Sequence, residues 1–232
     1  METIESLGIG GATLRQDSDC FKLGTDGVLL AGFSKIKKNA LILELGCGIG
    51  GIPVLIAAQH ETAHIYGVEI GEKPAVLAKR NAEENGYQDR ITIKEADIRT
   101  VGELLPNKKF DLILCNPPYA KKESGIKSPN ALRQTARFEE CCTLEDVTNA
   151  AIKNLKFGGT LTLCYRPDRL VDLFCALRSS NFEPKRLQFV RYSESHAPSL
   201  VLVESRLGGN CSLKTERDLI LCKTPSTSLQ HP

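Results

Sequence analysis

Five short apolar runs recur along the chain with helical patterns between them, and this alternation restricts the fold more than any other feature. The runs lie at residues 41–46, 64–70, 91–97, 110–116 and 160–165. The first and fourth are almost continuously apolar, as expected for strands that are covered on both faces. Strands that alternate with helices in this way predict a doubly wound, mostly parallel α/β sheet.

The last third of the chain breaks this alternation. A helical pattern at 144–156 is predicted to begin behind Thr143 as its N-cap and to stop at the glycine pair 158–159. Two strand-like runs, 186–192 and 199–205, follow with only a short connection between them. A parallel crossover needs a dozen residues or more, so these two strands are predicted to pair as an antiparallel hairpin. A further run at 217–222 is predicted to add an edge strand.

Composition sets limits on the function. The 232 residues are 41% hydrophobic and 25% charged, with a net charge of +2, so a nucleic-acid partner would require a local basic patch. The nine cysteines form no C-x-x-C pair and the four histidines have no zinc spacing, so we expect no metal and reduced thiols in a cytoplasmic protein. The sequence has no signal pattern and no run approaching the roughly 20 apolar residues of a membrane span.

The turn after the first strand is rich in glycine, with Gly46, Gly48, Gly50 and Gly51. Such a turn allows a ligand to approach the backbone closely. The spacing satisfies the G-x-G-x-x-G pattern of dinucleotide-binding folds. It also satisfies the acidic-x-G-x-G-x-G pattern that methyltransferases use for S-adenosylmethionine, and a tight turn without any ligand is the third interpretation. The glycines alone leave these three interpretations open.

Three carboxylates favour the methyltransferase pattern. Glu44 precedes the glycines, where a dehydrogenase usually has an apolar residue, and would face the positively charged methionine end of the cofactor. Glu69 ends the second strand, where an acid can accept both ribose hydroxyls. Asp97 ends the third strand, where it could accept from the adenine amino group. All three lie at carboxyl ends of successive strands, the edge at which open α/β sheets bind ligands.

The fourth strand ends in Asn-Pro-Pro-Tyr and delivers Asn116 to the same edge. The amino group of a nucleobase is a poor nucleophile because its lone pair is delocalised into the ring. The Asn116 amide oxygen and the Pro117 carbonyl can accept its two hydrogens and localise that lone pair. Tyr119 can stack on the flat base. The catalytic residues are therefore predicted to be Asn116, Pro117 and Tyr119, with no strong general base required.

These motifs resemble the class I S-adenosylmethionine-dependent methyltransferases that methylate amino groups. Further stretches, at 22–33, 142–147, 165–170 and 183–190, resemble the tRNA1(Val) adenine methyltransferase family. The resemblance implies a Rossmann-like fold with a seven-stranded, mostly parallel sheet ending in an antiparallel hairpin. It also implies that an adenine amino group beside the anticodon, adenosine 37, is methylated. It extends the cofactor contacts to the following set: Asp26, Glu44, Gly46, Gly48, Gly50, Glu69, Ile70, Asp97, Ile98 and Asn116.

The predicted domain organisation follows from this site. Residues 1–40 are predicted to form an N-terminal extension packed on the cofactor site, residues 41–222 the methyltransferase domain, and residues 223–232 a disordered tail.

Basic residues are predicted to bind the tRNA, because lysine and arginine position RNA through its phosphates. These residues are Lys121, Lys122, Lys127, Arg133, Arg137, Arg166 and Arg169. Two alternatives remain: amino-methylation of guanine or adenine in rRNA, and an NAD-dependent oxidoreductase. The oligomeric state is left open between a monomer and a weak dimer.

Overall fold

A computed structural model describes residues 1–117 and 142–222 of the chain. A small N-terminal hairpin precedes the main sheet and consists of β1 (Glu2–Ser6) and β2 (Thr13–Asp17). The strands of the main sheet are β3 (Leu41–Leu45), β4 (His64–Glu69), β5 (Ile91–Glu95), β6 (Phe110–Cys115), β7 (Leu155–Tyr165), β8 (Phe182–Arg191), β9 (Leu200–Leu207), β10 (Lys214–Thr215) and β11 (Leu219–Ile220). The helices are α1 (Thr25–Phe33), α2 (Gly51–Gln59), α3 (Glu72–Glu84), α4 (Val101–Leu104), α5 (Leu144–Asn154) and α6 (Leu170–Ser179).

The main sheet has the strand order β10-β8-β9-β7-β6-β3-β4-β5, with β11 also paired to β8. Strands β3 to β7 are parallel to one another, whereas β9 runs antiparallel to both β7 and β8. The predicted mostly parallel sheet with its antiparallel hairpin is therefore confirmed. Seven strands form its body, and the two-residue strands β10 and β11 extend the outer edge of β8 in parallel.

Both faces of the central strands are buried, which explains their continuous apolar runs. Ile42 of β3 belongs to the core cluster under α1, α2 and α3, while Leu43 and Leu45 belong to the cluster under α4, α5 and α6. Successive side chains of a strand point to opposite faces. A strand covered by helices on both sides must therefore be apolar at nearly every position, as β3 and β6 are.

The start of α5 confirms the predicted cap, but its end differs from the prediction. Thr143 Oγ1 accepts from the backbone N–H of Asp146 at 3.1 Å, and Asp146 Oδ2 accepts from the Thr143 N–H at 2.9 Å, which forms a capping box. The helix ends at Asn154, before the predicted glycine stop, and β7 begins at Leu155. Leu155 is buried and pairs with Phe110 of β6, so pairing in the sheet decides this boundary.

Two predicted features lie outside the described residues. The long charged segment after the fourth strand falls largely within 118–141, and the tail predicted to be disordered occupies 223–232. The run at 217–222 forms only the short strand β11.

Candidate active site

The glycine turn joins β3 to α2 at the carboxyl edge of the parallel strands. Gly46, Gly48 and Gly50 all have positive φ angles, of 75°, 52° and 79°. The N–H groups of Gly46 and Cys47 both donate to the Val68 carbonyl of β4, at 2.8 and 3.0 Å. No described atom lies within 4 Å of the point where a Cβ of residue 48 would stand. The turn is thus held against the sheet and leaves space in front of its backbone.

Glu69 fixes the shape of this turn. The side chain is buried at the end of β4, and its Oε2 accepts from the Gly48 N–H at 2.9 Å. Its Oε1 accepts from the Gly71 N–H, also at 2.9 Å, just before α3 begins. Each carboxylate oxygen has two acceptor sites. Glu69 can therefore hold the turn and still accept from the two hydroxyls of a ribose, the role predicted for it.

Glu44 lies on β3 beside Glu69 and is almost completely buried, at 2% exposure. Within the described residues its Oε2 has no hydrogen-bond partner. Burial, and secondarily the charge of Glu69, raise the pKa of the Glu44 carboxyl well above its ordinary value. Two acids without a described counter-charge fit a cationic ligand, because an uncompensated buried charge is costly. The sulfonium and ammonium groups of S-adenosylmethionine meet this requirement.

Asp97 is already engaged within the chain. Its Oδ1 accepts from the Arg99 N–H and from Arg99 Nε, both at 2.9 Å, and Arg99 Nη2 completes an ion pair with Oδ2. Hydrogen bonds from the Arg99 side chain are the main cause of a lowered pKa at Asp97. The sequence prediction did not include Arg99. An adenine contact from Asp97 stays a prediction, and any such contact would share the carboxylate with this guanidinium.

The other predicted cofactor contacts lie around the same edge. Ile70 directly follows Glu69 and is 52% exposed, whereas Ile98 follows Asp97 and is buried. Asp26 is half-buried in the first turn of α1. An exposed apolar side chain beside a predicted ribose acceptor suits contact with a flat ring. The assignments of Ile70, Ile98 and Asp26 remain predictions.

The N-terminal segment meets the glycine turn through two residues that the sequence prediction did not include. A Cβ at Gly51 would lie 2.9 Å from Leu23 Cδ1, so the side chain of Leu23 packs against the start of α2. Asn81 of α3 is fully buried, and its Nδ2 donates to the carbonyls of Ile49 at 2.8 Å and Arg15 at 3.0 Å. Asn81 Oδ1 accepts from the Arg15 N–H at 2.7 Å. The sequence feature that could have identified Asn81 is its position as a polar residue within the apolar face of α3.

Asn116 and Pro117 follow β6 and are half-buried. The register places Leu45 of β3 opposite Cys115 of β6. The next residues on the two strands, Gly46 and Asn116, therefore leave the sheet side by side. Adjacent strands are about 4.8 Å apart, so Asn116 begins its loop next to the glycine turn. Tyr119 lies outside the described residues.

The predicted RNA-binding residues are only partly described. The five in the long segment, Lys121, Lys122, Lys127, Arg133 and Arg137, lie outside the described residues. Arg166 follows β7 and donates from Nε to Asp168 Oδ1 at 2.8 Å, while Arg169 forms an ion pair with Asp172. Exposed ion pairs of this kind contribute about 0–1 kcal/mol. Phosphate groups could therefore compete for both arginines, whose role stays a prediction.

The described parts of the chain offer neither a cluster of metal-binding side chains nor a helix suited to span a membrane. Residues 1–117 and 142–222 contain no group of three or more His, Cys, Asp or Glu side chains that could hold a metal ion. No helix in these ranges is long and apolar enough to cross a membrane.

Comparison with known proteins identifies the family. The model of a family described as a methyltransferase domain matches residues 36–197. A tRNA1(Val) (adenine(37)-N6)-methyltransferase from Porphyromonas gingivalis is 34% identical over 197 residues, which are 82% of this chain and 76% of the relative. A relative of the same name from Flavobacterium psychrophilum is 30% identical over 216 residues, covering 91% and 88%.

A solved structure supports the methyltransferase fold. A protein from Agrobacterium tumefaciens, described as a predicted O-methyltransferase, has a TM-score of 0.70 and 25% identity and covers 88% of this chain and 90% of its own. The predicted class I fold, methyltransferase activity and S-adenosylmethionine as cofactor are confirmed. The dinucleotide interpretation of the glycines is thereby set aside. The chain belongs to the methyltransferase-domain family and, within it, to the tRNA1(Val) (adenine(37)-N6)-methyltransferase family.

Proposed function

We propose that this chain methylates the exocyclic amino group of an adenine in tRNA, adenosine 37 of tRNA1(Val), with S-adenosylmethionine as the donor. The observation that carries the proposal is the adjacency of two strand ends. Asn116 leaves β6 beside Gly46 of β3, and Glu44 and Glu69 lie buried under the same turn. Asn116, whose amide can accept hydrogen bonds from an amino group, thus lies beside a site that suits a cationic cofactor.

The cofactor supplies an electrophilic methyl group when bound. Glu44 and Glu69 would hold it. Glu44, whose Oε2 has no partner among the described residues, would pair with its cationic end, and Glu69 would accept from its ribose hydroxyls with the lone pairs that its two backbone hydrogen bonds leave over. The glycine turn lets the cofactor approach the backbone at Gly48. Because these groups are already positioned by the sheet, little reorganisation accompanies binding.

The chain also activates the amine. Asn116 Oδ1 and the Pro117 carbonyl accept the two amino hydrogens of adenine and bias its nitrogen toward tetrahedral geometry. The lone pair is then localised on nitrogen and aligned with the transferred methyl group. As the N–C bond forms, the bond from the methyl carbon to sulfur would break and its electron pair would stay on sulfur, which becomes a neutral thioether. The methylated nitrogen is briefly cationic, so its surplus proton can leave to solvent without a dedicated base. Positioning of two reactants supplies much of the acceleration.

The N-terminal segment belongs to this site in our proposal. Leu23 packs on the start of α2, and Asn81 ties the Ile49 carbonyl of the glycine turn to Arg15 of the hairpin. These contacts support the prediction that residues 1–40 pack on the cofactor site. A cytoplasmic location is also proposed, because Cys20, Cys47 and Cys115 are buried free thiols of the kind that persist in reducing compartments.

The substrate is tested with tRNA that lacks the modification. Total tRNA from a strain lacking this enzyme is incubated with the protein and methyl-labelled S-adenosylmethionine, then digested to nucleosides. We expect label in N6-methyladenosine, at position 37 of tRNA1(Val) when fragments are mapped. Label in a guanine derivative, or only in rRNA added in parallel, would contradict the proposal.

The role of Asn116 is tested by two substitutions. Asn116→Ala is expected to abolish turnover while cofactor affinity stays within about 1–2 kcal/mol, roughly the contribution of one hydrogen bond. Asn116→Asp keeps an acceptor oxygen at the same place and is expected to retain measurable turnover. Single-turnover methylation and calorimetric binding of S-adenosylhomocysteine separate the two effects. Equal turnover in the Ala variant and the parent would refute this role.

A further inference from the structure

The loop between β8 and β9 lies at the same sheet edge as the active site. Tyr165, the last residue of β7, pairs with Val201 near the start of β9, and Leu200 pairs with Val190 near the end of β8. The antiparallel hairpin therefore turns at the carboxyl edge of the parallel strands. From β6 to β8 the sheet is three strand spacings wide, about 14 Å. Residues 192–199 thus lie at the same sheet edge as Asn116, three strands away, within the reach of a nucleotide that flanks the target base.

This loop presents two aromatic rings to solvent. Tyr192 is 58% exposed, and the His196 side chain beside it is also exposed. The two ring centroids are 5.4 Å apart at an interplanar angle of 76°. Ser193 Oγ lies 2.7 Å from His196 Nδ1 and orients the imidazole. Edge-to-face packing of this kind leaves a face of Tyr192 open.

The backbone of the loop is held in place by the last described segment of the chain. The N–H groups of Leu221 and Cys222 donate to the carbonyls of Arg191 and Tyr192, at 3.0 and 2.7 Å. Arg191 Nη1 donates to the His196 carbonyl at 2.9 Å, and its Nε pairs with Asp218. A ring carried on a braced backbone loses little conformational freedom when it binds a partner.

We propose that Tyr192, supported by His196, stacks on a nucleotide of the RNA that flanks the methylated base. The inference rests on the proposed function, because it assigns a contact for the same RNA substrate. Stacking fits this loop better than phosphate binding does. Arg191 is paired with Asp218 and Glu194 adds a negative charge, so the loop has no surplus of positive charge. An exposed aromatic ring beside a site for single-stranded RNA is a common stacking platform.

The proposal is tested by removing the ring at Tyr192. Tyr192→Ala is expected to weaken tRNA binding about fivefold or more, the range for loss of one stacked base, with cofactor affinity unchanged. Tyr192→Phe keeps the ring and is expected to bind within about twofold of the parent. The slope of log affinity against log salt should stay the same in both, because no phosphate contact is lost. His196→Ala is expected to show a smaller loss than Tyr192→Ala.

A matched control comes from the opposite edge of the sheet. Phe157 is 82% exposed near the start of β7, far from the carboxyl edge, so Phe157→Ala removes an even more exposed ring without touching the proposed surface. It is expected to leave tRNA affinity unchanged. A fluorescent base such as 2-aminopurine beside adenosine 37 gives a direct readout, with a stacking signal in the parent and Tyr192→Phe that disappears in Tyr192→Ala.

The outcomes separate this inference from the proposed function. If the parent protein methylates tRNA and Tyr192→Ala binds tRNA as tightly as the parent, the stacking role is overturned. If the loss of tRNA affinity in Tyr192→Ala came with an equal loss of cofactor affinity or with a lowered melting temperature, the ring would have a structural role and the stacking role would be overturned as well. If the parent does not methylate tRNA in any preparation, the proposed function fails first, independently of Tyr192.

Discussion

Two regions of the molecule, the glycine turn and the antiparallel hairpin, bury charge in different ways. Under the glycine turn, Glu44 and Glu69 are buried together, and the pKa of Glu44 is raised by burial and by its acidic neighbour. In the antiparallel hairpin, buried Arg186 of β8 and partly buried Glu204 of β9 form an ion pair at 3.4 Å. The Arg186 guanidinium also stacks on the Phe33 ring, 3.9 Å from its centroid, and donates to the Phe33 carbonyl.

This difference separates charges that serve the fold from charges that serve a ligand. The hairpin pair carries its own counter-charge and joins the end of α1 to the sheet whether or not a ligand is bound. Glu44, under the glycine turn, destabilises the unliganded fold, because its buried carboxyl is desolvated and has no cation to compensate it. We therefore expect substitutions in the hairpin to change stability and substitutions under the turn to change cofactor binding.

The largest effect is expected from breaking the hairpin pair. Arg186→Met leaves the partly buried Glu204 without its cation and should lower the free energy of unfolding by about 3 kcal/mol, the lower end of the range for buried pairs. The double variant Arg186→Met with Glu204→Leu should recover most of that loss, since no charge is then left buried alone. Urea unfolding of the two single variants and the double variant measures both quantities. A double variant as unstable as the sum of the singles would contradict this account.

The next effect concerns cofactor affinity. Glu69→Ala removes the acceptor for the Gly48 and Gly71 N–H groups and for the ribose, so the Kd for S-adenosylhomocysteine should rise about 100-fold, near 3 kcal/mol. Glu72→Ala is the matched control, because Glu72 is an exposed acid three residues further on. It should change the Kd by less than about twofold. Similar losses in the two variants would mean that the hydrogen bonds of Glu69 do not govern binding.

The smallest expected effect is a pH dependence that originates at Glu44. Because the folded protein holds the Glu44 proton more tightly than the unfolded chain does, Glu44 contributes stability that is present below pH 4.5, the ordinary pKa, and is lost as pH rises through the raised pKa. Without cofactor, the melting temperature of the parent should fall relative to that of Glu44→Gln by a few degrees between pH 5 and 8. S-adenosylmethionine should reduce this difference, since its positive charge compensates the carboxylate.

Calorimetry across that pH range, with and without cofactor, provides the test. If the difference in melting temperature between the parent and Glu44→Gln stays constant from pH 5 to 8, the Glu44 carboxyl is not desolvated in the folded protein.

Much of the fold could be predicted from local patterns. The buried strands β3 and β6 were visible as continuous apolar runs, and the capping residue Thr143 was visible from its place before a helical pattern. The antiparallel hairpin followed from a connection too short for a crossover. The end of α5 at Asn154 could not be predicted, because it depends on Phe110, a pairing partner 45 residues from Leu155.

The amino-acid sequence by itself determined which residues reach the carboxyl edge, since strand burial and turn chemistry are local properties: the glycine turn, Glu44, Glu69 and Asn116 were all placed there in advance. Only the tertiary structure decided what those residues touch. Glu69 accepts a hydrogen bond from Gly48, and Arg99 forms an ion pair with Asp97. Asn81 donates to the Arg15 carbonyl, and the Tyr192 carbonyl accepts from the Cys222 N–H. Several of these partners lie far apart in the chain, and hydrogen bonding and burial depend on distances in space that no periodic pattern records.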